Sequence, residues 1–156
     1  KFPLPFLPPY LTIDFSDAPA LLATFTLGPV AGLLVELIKN LLNFFFNLSD
    51  PVGPIANFLA GASLLLVSYG IYRNNQSTKH LILGLITGTI VMTIVLAVMN
   101  YFVLLPLYGM IMNLTDIANN LKLIIAAGII PFNIIKGALI SIIFILLYQR
   151  IGHILK

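Results

Sequence analysis

The chain has 156 residues, of which 60% are hydrophobic and only 8% charged, with a formal net charge of +3 and a mean hydropathy of +1.07. Soluble domains carry about 25% charged residues, so this composition predicts an all-α integral membrane protein folded as one compact bundle. No lysine- or arginine-rich run speaks for nucleic acid, and the lack of cysteine excludes disulfides and thiolate metal sites.

Residues 1–17, KFPLPFLPPYLTIDFSD, hold Pro3, Pro5, Pro8 and Pro9 and cannot form a helix. They read as an extended segment at the membrane surface, with Asp14 and Asp17 expected to place its end in water. Ser16 or Asp17 is the expected N-cap of a short apolar helix, Ala18–Leu27, with Pro19 in its first turn. Gly28-Pro29 reads as a tight break, and Val30–Phe46 as a second helix in which Glu36 and Lys39 lie three apart and can pair.

Asn47–Pro54, NLSDPVGP, is dense in turn residues. A third helix is expected over Ile55–Tyr72, a polar loop over Arg73–Thr78, and a long fourth helix over Leu81–Leu105, ended by Pro106. Residues 107–130 read as a loop with a helical portion around 115–126. The fifth helix, Pro131–Tyr148, is apolar except for Asn133 and Lys136, which share one face. Short cytoplasmic loops collect Lys and Arg, so Arg73, Lys79, Arg150 and Lys156 are expected inside and the 47–54 loop outside. A chain that begins outside implies an earlier spanning helix, so one helix is expected before Lys1. That makes a six-helix transmembrane bundle in the intact protein, with about five helices plus an outer loop in this chain. Residues 1–156 are expected to form a single substrate-binding domain.

The polar groups inside apolar segments are the candidates for function. Asn100, Asn133 and Lys136, with Asp14, Ser16 and Asp17 from the loop, are expected to converge on the outer third of the bundle. Phe6, Tyr10, Phe15, Tyr101 and Phe132 could line a flat apolar slot around them. Apolar walls with a few fixed polar groups are the usual form of a small-molecule site. Blander readings stand beside this one. Lys136 can snorkel to headgroups, Asn133 can bond a neighbouring helix, and Asp14 to Asp17 can be only a helix cap. Gly84 and Gly88, as GxxxG, read as a close-packing face. His80 and His153 have no ligand spacing. There is no GxxxxGK[ST], HExxH or GxSxG, so neither ATP chemistry nor catalysis is expected of this chain itself.

Three strings carry a family resemblance: L-x-x-D-x-S-D-x-P-A-L from Leu11 to Leu21, G-P-x-x-G from Gly28 to Gly32, and PFNIIKG from Pro131 to Gly137. Together they resemble the riboflavin-binding S component of energy-coupling-factor (ECF) vitamin transporters, and the resemblance spans nearly the whole chain. It implies six helices with both ends cytoplasmic in a bacterial plasma membrane. It also implies riboflavin as transported ligand rather than cofactor, and partnership with a transmembrane coupling subunit and two ATPase subunits. The family's flavin-binding asparagine of the penultimate helix matches Asn100, and its asparagine and lysine of the last helix match Asn133 and Lys136. The same fold serving another vitamin, such as thiamine or biotin, and a purely structural membrane subunit are the alternatives.

Overall fold

Gly28 and Pro29 decide how the first apolar stretch is used. Gly28 adopts φ 105° and ψ 166°, a backbone region open essentially to glycine. Pro29 then starts a new helix, where its missing N–H would be unpaired in any case. The chain folds back as α1 (Asp17–Leu27) and α2 (Pro29–Phe46). With 11 residues, α1 rises about 16 Å, roughly half of a bilayer's hydrocarbon core of about 30 Å. Its first residue therefore lies near mid-depth. The structure, a computed structural model, describes residues 2, 3, 5, 6, 11–113, 116 and 119–152.

Three longer helical stretches follow. α3 (Val52–Tyr72) begins three residues earlier than expected, because Asp50 Oδ1 accepts the Gly53 N–H at 2.8 Å and satisfies an orphan donor of the first turn. α4 (Thr78–Met99) is capped by Ser77, whose hydroxyl accepts the His80 N–H. Pro106 does not end it. A π-helical turn, Asn100–Leu104, leads directly into α5 (Leu105–Met112), so the proline falls in the first turn of a new α segment, where it is tolerated. Asn113 closes α5 in the left-handed conformation, φ 53°.

The segment before Pro131 is also corrected. The helical portion expected around 115–126 is present from Leu121, and it continues through residues 127–130 into the last helix: α6 (Leu121–Ile124), a second π-helical turn (Ile125–Ile129) and α7 (Ile130–Gly152) run on without a break. Among the described residues, Pro29–Phe46, Val52–Tyr72, Thr78–Ile111 and Leu121–Ile151 are long and apolar enough to cross a membrane. A short antiparallel ribbon, β1 (Phe2–Pro3) with β2 (Thr12–Ile13), lies at the end of the bundle opposite Gly28.

The packing is a ring. α2 packs on α3, α3 on α4 and α4 on α7, and α1 closes the circle between α2 and α7 while touching α3. α3 and α4 share the largest interface, and their GxxxG face is the reason. A Cβ on Gly84 would strike the Ser68 backbone, and one on Gly88 would strike Leu64. The bare backbones instead let Ser68 Oγ donate to the Gly84 carbonyl at 3.1 Å. At the Arg73 end, Phe25 is ringed by Tyr69, Tyr72, Phe144 and Tyr148, with centroids 5.0 to 6.3 Å away. This aromatic plug fills the interior of that end of the bundle. Gly84→Leu is expected to wedge α3 from α4 and cost about 1–3 kcal/mol, as overpacking does, read as a lower thermal midpoint in detergent.

Candidate functional site

Lys136 sits in α7 fourteen residues before Arg150, about 21 Å along the helix, and is 1% exposed. It does not snorkel. Its Nζ donates to Asn57 Oδ1 on α3 at 2.9 Å and lies 3.2 Å from Asp17 Oδ2 on α1. Asp17 also ion-pairs through Oδ1 with Lys39 on α2, and Lys39 donates to Glu36 Oε1 at 3.1 Å. The Glu36–Lys39 pairing expected from spacing is thus present, as part of a larger network. Asp17 does not mark the water boundary: it is 2% exposed at the deep end of the entering segment. Buried ion pairs hold only when each member is compensated, and here every charge has a partner of opposite sign.

On the ribbon side of this network lies a cavity of about 50 Å³, with Lys136, Asn57, Asn100, Asn133, Phe132, Tyr108, Asp50 and Thr12 in its wall. The two asparagines are set the same way. Asn100 Nδ2 donates to the Leu96 carbonyl at 2.7 Å and Asn133 Nδ2 to the Ile129 carbonyl at 2.8 Å. Each amide gives one of its two N–H groups to its own helix, which leaves its oxygen available as an acceptor. Asn133 Oδ1 is buried with no hydrogen-bond partner among the described residues. A buried, unsatisfied acceptor is costly, and it marks the wall as built for a donor from outside the fold. Lys136, three residues on along the same helix and in the same wall, adds a donor beside this acceptor.

The other expected site residues divide. Phe132 is buried in the wall. Asp14 and Ser16 pair with each other, Ser16 Oγ and backbone N–H both donating to Asp14 Oδ1 at 2.5 and 3.0 Å, and neither belongs to the cavity wall. Burial of Asp14 pushes its pKa up, but those two hydrogen bonds and the Lys39 and Lys136 ammonium groups pull it further down, so it rests below the usual carboxylate value. Ser16 holds the N-cap position without a side-chain cap bond. Phe6, Phe15 and Tyr101 are exposed and are not among the residues of this cavity's wall. Tyr10 and His153 lie outside the described residues.

Four wall residues, Thr12, Asp50, Asn57 and Tyr108, are not among those the sequence singles out. Tyr108 is 5% exposed and donates to Asp50 Oδ1 at 2.9 Å. Asn57 is a lone amide in the apolar run of α3, the same signal that singled out Asn133, and could have been found by it.

Comparison with known proteins agrees with the resemblance. Residues 1–148 match the family described as ECF transporter, substrate-specific component. The riboflavin transporter RibU of Staphylococcus aureus (strain TCH60) is 73% identical over 156 residues, covering 100% of this chain and 82% of that protein. The riboflavin transporter FmnP of Bacillus subtilis (strain 168) is 41% identical over 155 residues, covering 97% and 82%. A solved structure of the S component of a bacterial ECF transporter superimposes with a TM-score of 0.88 at 67% identity, covering 100% of this chain and 86% of that one. These relatives are transporter components rather than enzymes, as the sequence led one to expect. The all-α membrane architecture, the Gly28-Pro29 break and the helical core thus have a common explanation: the chain belongs to the substrate-specific (S) component family of ECF transporters.

Proposed function

We propose that this chain captures riboflavin from the ribbon side of the membrane and presents it for ATP-driven import, without chemical change to the ligand. The observation that carries this reading is the pairing of an unsatisfied acceptor, Asn133 Oδ1, with a buried ammonium, Lys136, on one cavity wall. The isoalloxazine ring is planar and largely apolar, and its pyrimidine edge alternates carbonyl oxygens with one N–H. Asn133 Oδ1 can accept that N–H, Lys136 can donate to an oxygen or ring nitrogen, and the Asn57 and Asn100 amides can serve neighbouring atoms. Phe132 and Tyr108 supply apolar surface for the ring. Such a site rejects analogues that leave its polar atoms unpaired. The names of the relatives at 73% and 41% identity point to the same ligand.

The cavity, at about 50 Å³, is far below the roughly 300–1,000 Å³ of ordinary ligand pockets. Riboflavin entry therefore requires the wall to spread. The hydrogen bond between Tyr108 and Asp50, which ties α5 to the start of α3, is the contact best placed to yield. Further parts of the reading follow from family membership. The ribbon end faces outside a bacterial plasma membrane, and the last helix ends in the cytoplasm. A transmembrane coupling subunit and two ATPase subunits supply the energy.

Lys136→Ala is expected to weaken riboflavin binding by at least about 1.5 kcal/mol, the scale of a charge-assisted hydrogen bond, measured by quenching of flavin fluorescence. An unchanged affinity would remove Lys136 from the site. Riboflavin at a hundred times its dissociation constant is expected to stabilise the purified protein by about 2.7 kcal/mol, whereas thiamine and biotin leave the melting curve unmoved. A shift with one of those vitamins alone would reassign the ligand, and no shift with any would favour a structural subunit.

A further inference from the structure

The Lys136 ammonium belongs to a set of four charges drawn from three helices: Asp17 on α1, Glu36 and Lys39 on α2, and Lys136 on α7. Asp17 and Glu36 are 2% and 0% exposed. These four formal charges cancel, and Asp14 adds a fifth, negative charge on which both lysines act. Only Lys136 reaches the cavity wall; the other three stand behind it. Burying four charges rarely stabilises a fold more than apolar packing of the same shape would. The arrangement is nonetheless well determined. Asp17 gives one carboxylate oxygen to each lysine, Oδ1 to Lys39 and Oδ2 to Lys136, which fixes the plane of its carboxylate. Glu36 in turn holds Lys39 at 3.1 Å.

The donor count then becomes informative. A lysine ammonium has three N–H groups on a flexible stem. Asp17 engages Lys136 from one side at 3.2 Å and Asn57 from another at 2.9 Å. The Asn57 hydrogen bond and the Asp17 ion pair together restrict where the remaining N–H groups of the ammonium can point. A group held in one orientation before the ligand arrives binds it with less loss of freedom.

We propose that Asp17 is the positioning residue of the binding site: it does not meet the ligand but aims the Lys136 ammonium into the cavity, with Lys39 and Glu36 anchoring its second oxygen. This rests on the reading of Lys136 as a ligand contact. The test is a double-mutant cycle on the purified full chain, with riboflavin affinity read by fluorescence quenching for wild type, Asp17→Asn, Lys136→Met and the double variant. Asp17→Asn is expected to weaken binding about tenfold in the wild-type background and to add no loss to Lys136→Met, because interacting groups are not additive. Equal fold losses in both backgrounds, or wild-type affinity for Asp17→Asn, would overturn the proposal and leave the site itself standing. Wild-type affinity for Lys136→Met would overturn the site and the proposal together. Should Asp17→Asn fail to fold, Asp17→Glu, which keeps the charge but displaces it by a methylene, takes its place in the cycle with the same expected pattern.

Discussion

The contact between Asp17 and Lys136 is the constraint around which the bundle is arranged. A charge near the centre of a bilayer costs about 2.5–3.5 kcal/mol by insertion scales, and more when isolated. A lysine in the middle of the last helix is tolerable only if a carboxylate meets it at the same depth. An ordinary spanning helix would carry Asp17 to the far surface. α1 instead stops halfway, because Gly28 and Pro29 turn the chain back after 11 residues. The half-length helix, the extended entry before it and the bare glycine at Gly61, where a Cβ would meet the Glu36 carboxyl, are all accommodations to buried charge.

That arrangement also decides where a guest can go. The aromatic cluster around Phe25 fills the Arg73 end, while the ion network floors the space on the ribbon side. What remains is a narrow cavity whose polar groups are contributed by separate elements: Asp50 and Asn57 from the start of α3, Asn100 and Tyr108 from the fourth helical stretch, and Asn133 and Lys136 from the last. No single element carries the site.

Much of this was legible in the sequence, for reasons that can be named. Membrane class followed from charge scarcity. The α1–α2 break followed from a dipeptide with only one good conformation, and the Glu36–Lys39 pair from a spacing of three. Asn133 and Lys136 stood out because polar groups are rare in apolar helices. The partner of Lys136 was not legible, because Asp17 lies 119 positions away and its burial depends on tertiary contact. Asp17 read as a surface residue because acidic groups beside a helix start usually are. The fourth and last helices were cut short because Pro106 and the polar residues near 120 are ordinary loop signals, overridden here by π-helical turns that no pattern of apolar residues announces.

Those two turns have a geometric effect beyond lengthening the helices. A π-helical turn spends one more residue than an α turn for the same advance, so everything after it is rotated by one residue's step, about 100° at 3.6 residues per turn. With a plain α-helical register through Asn100–Leu104, the buried Leu105 would lie about 140° round the helix from Asn100, while Leu104 would stay on its face. Tyr108 would be turned by the same step away from Asp50, to which it now donates. One surplus residue in the coil thus sets which side of the helix the cavity sees.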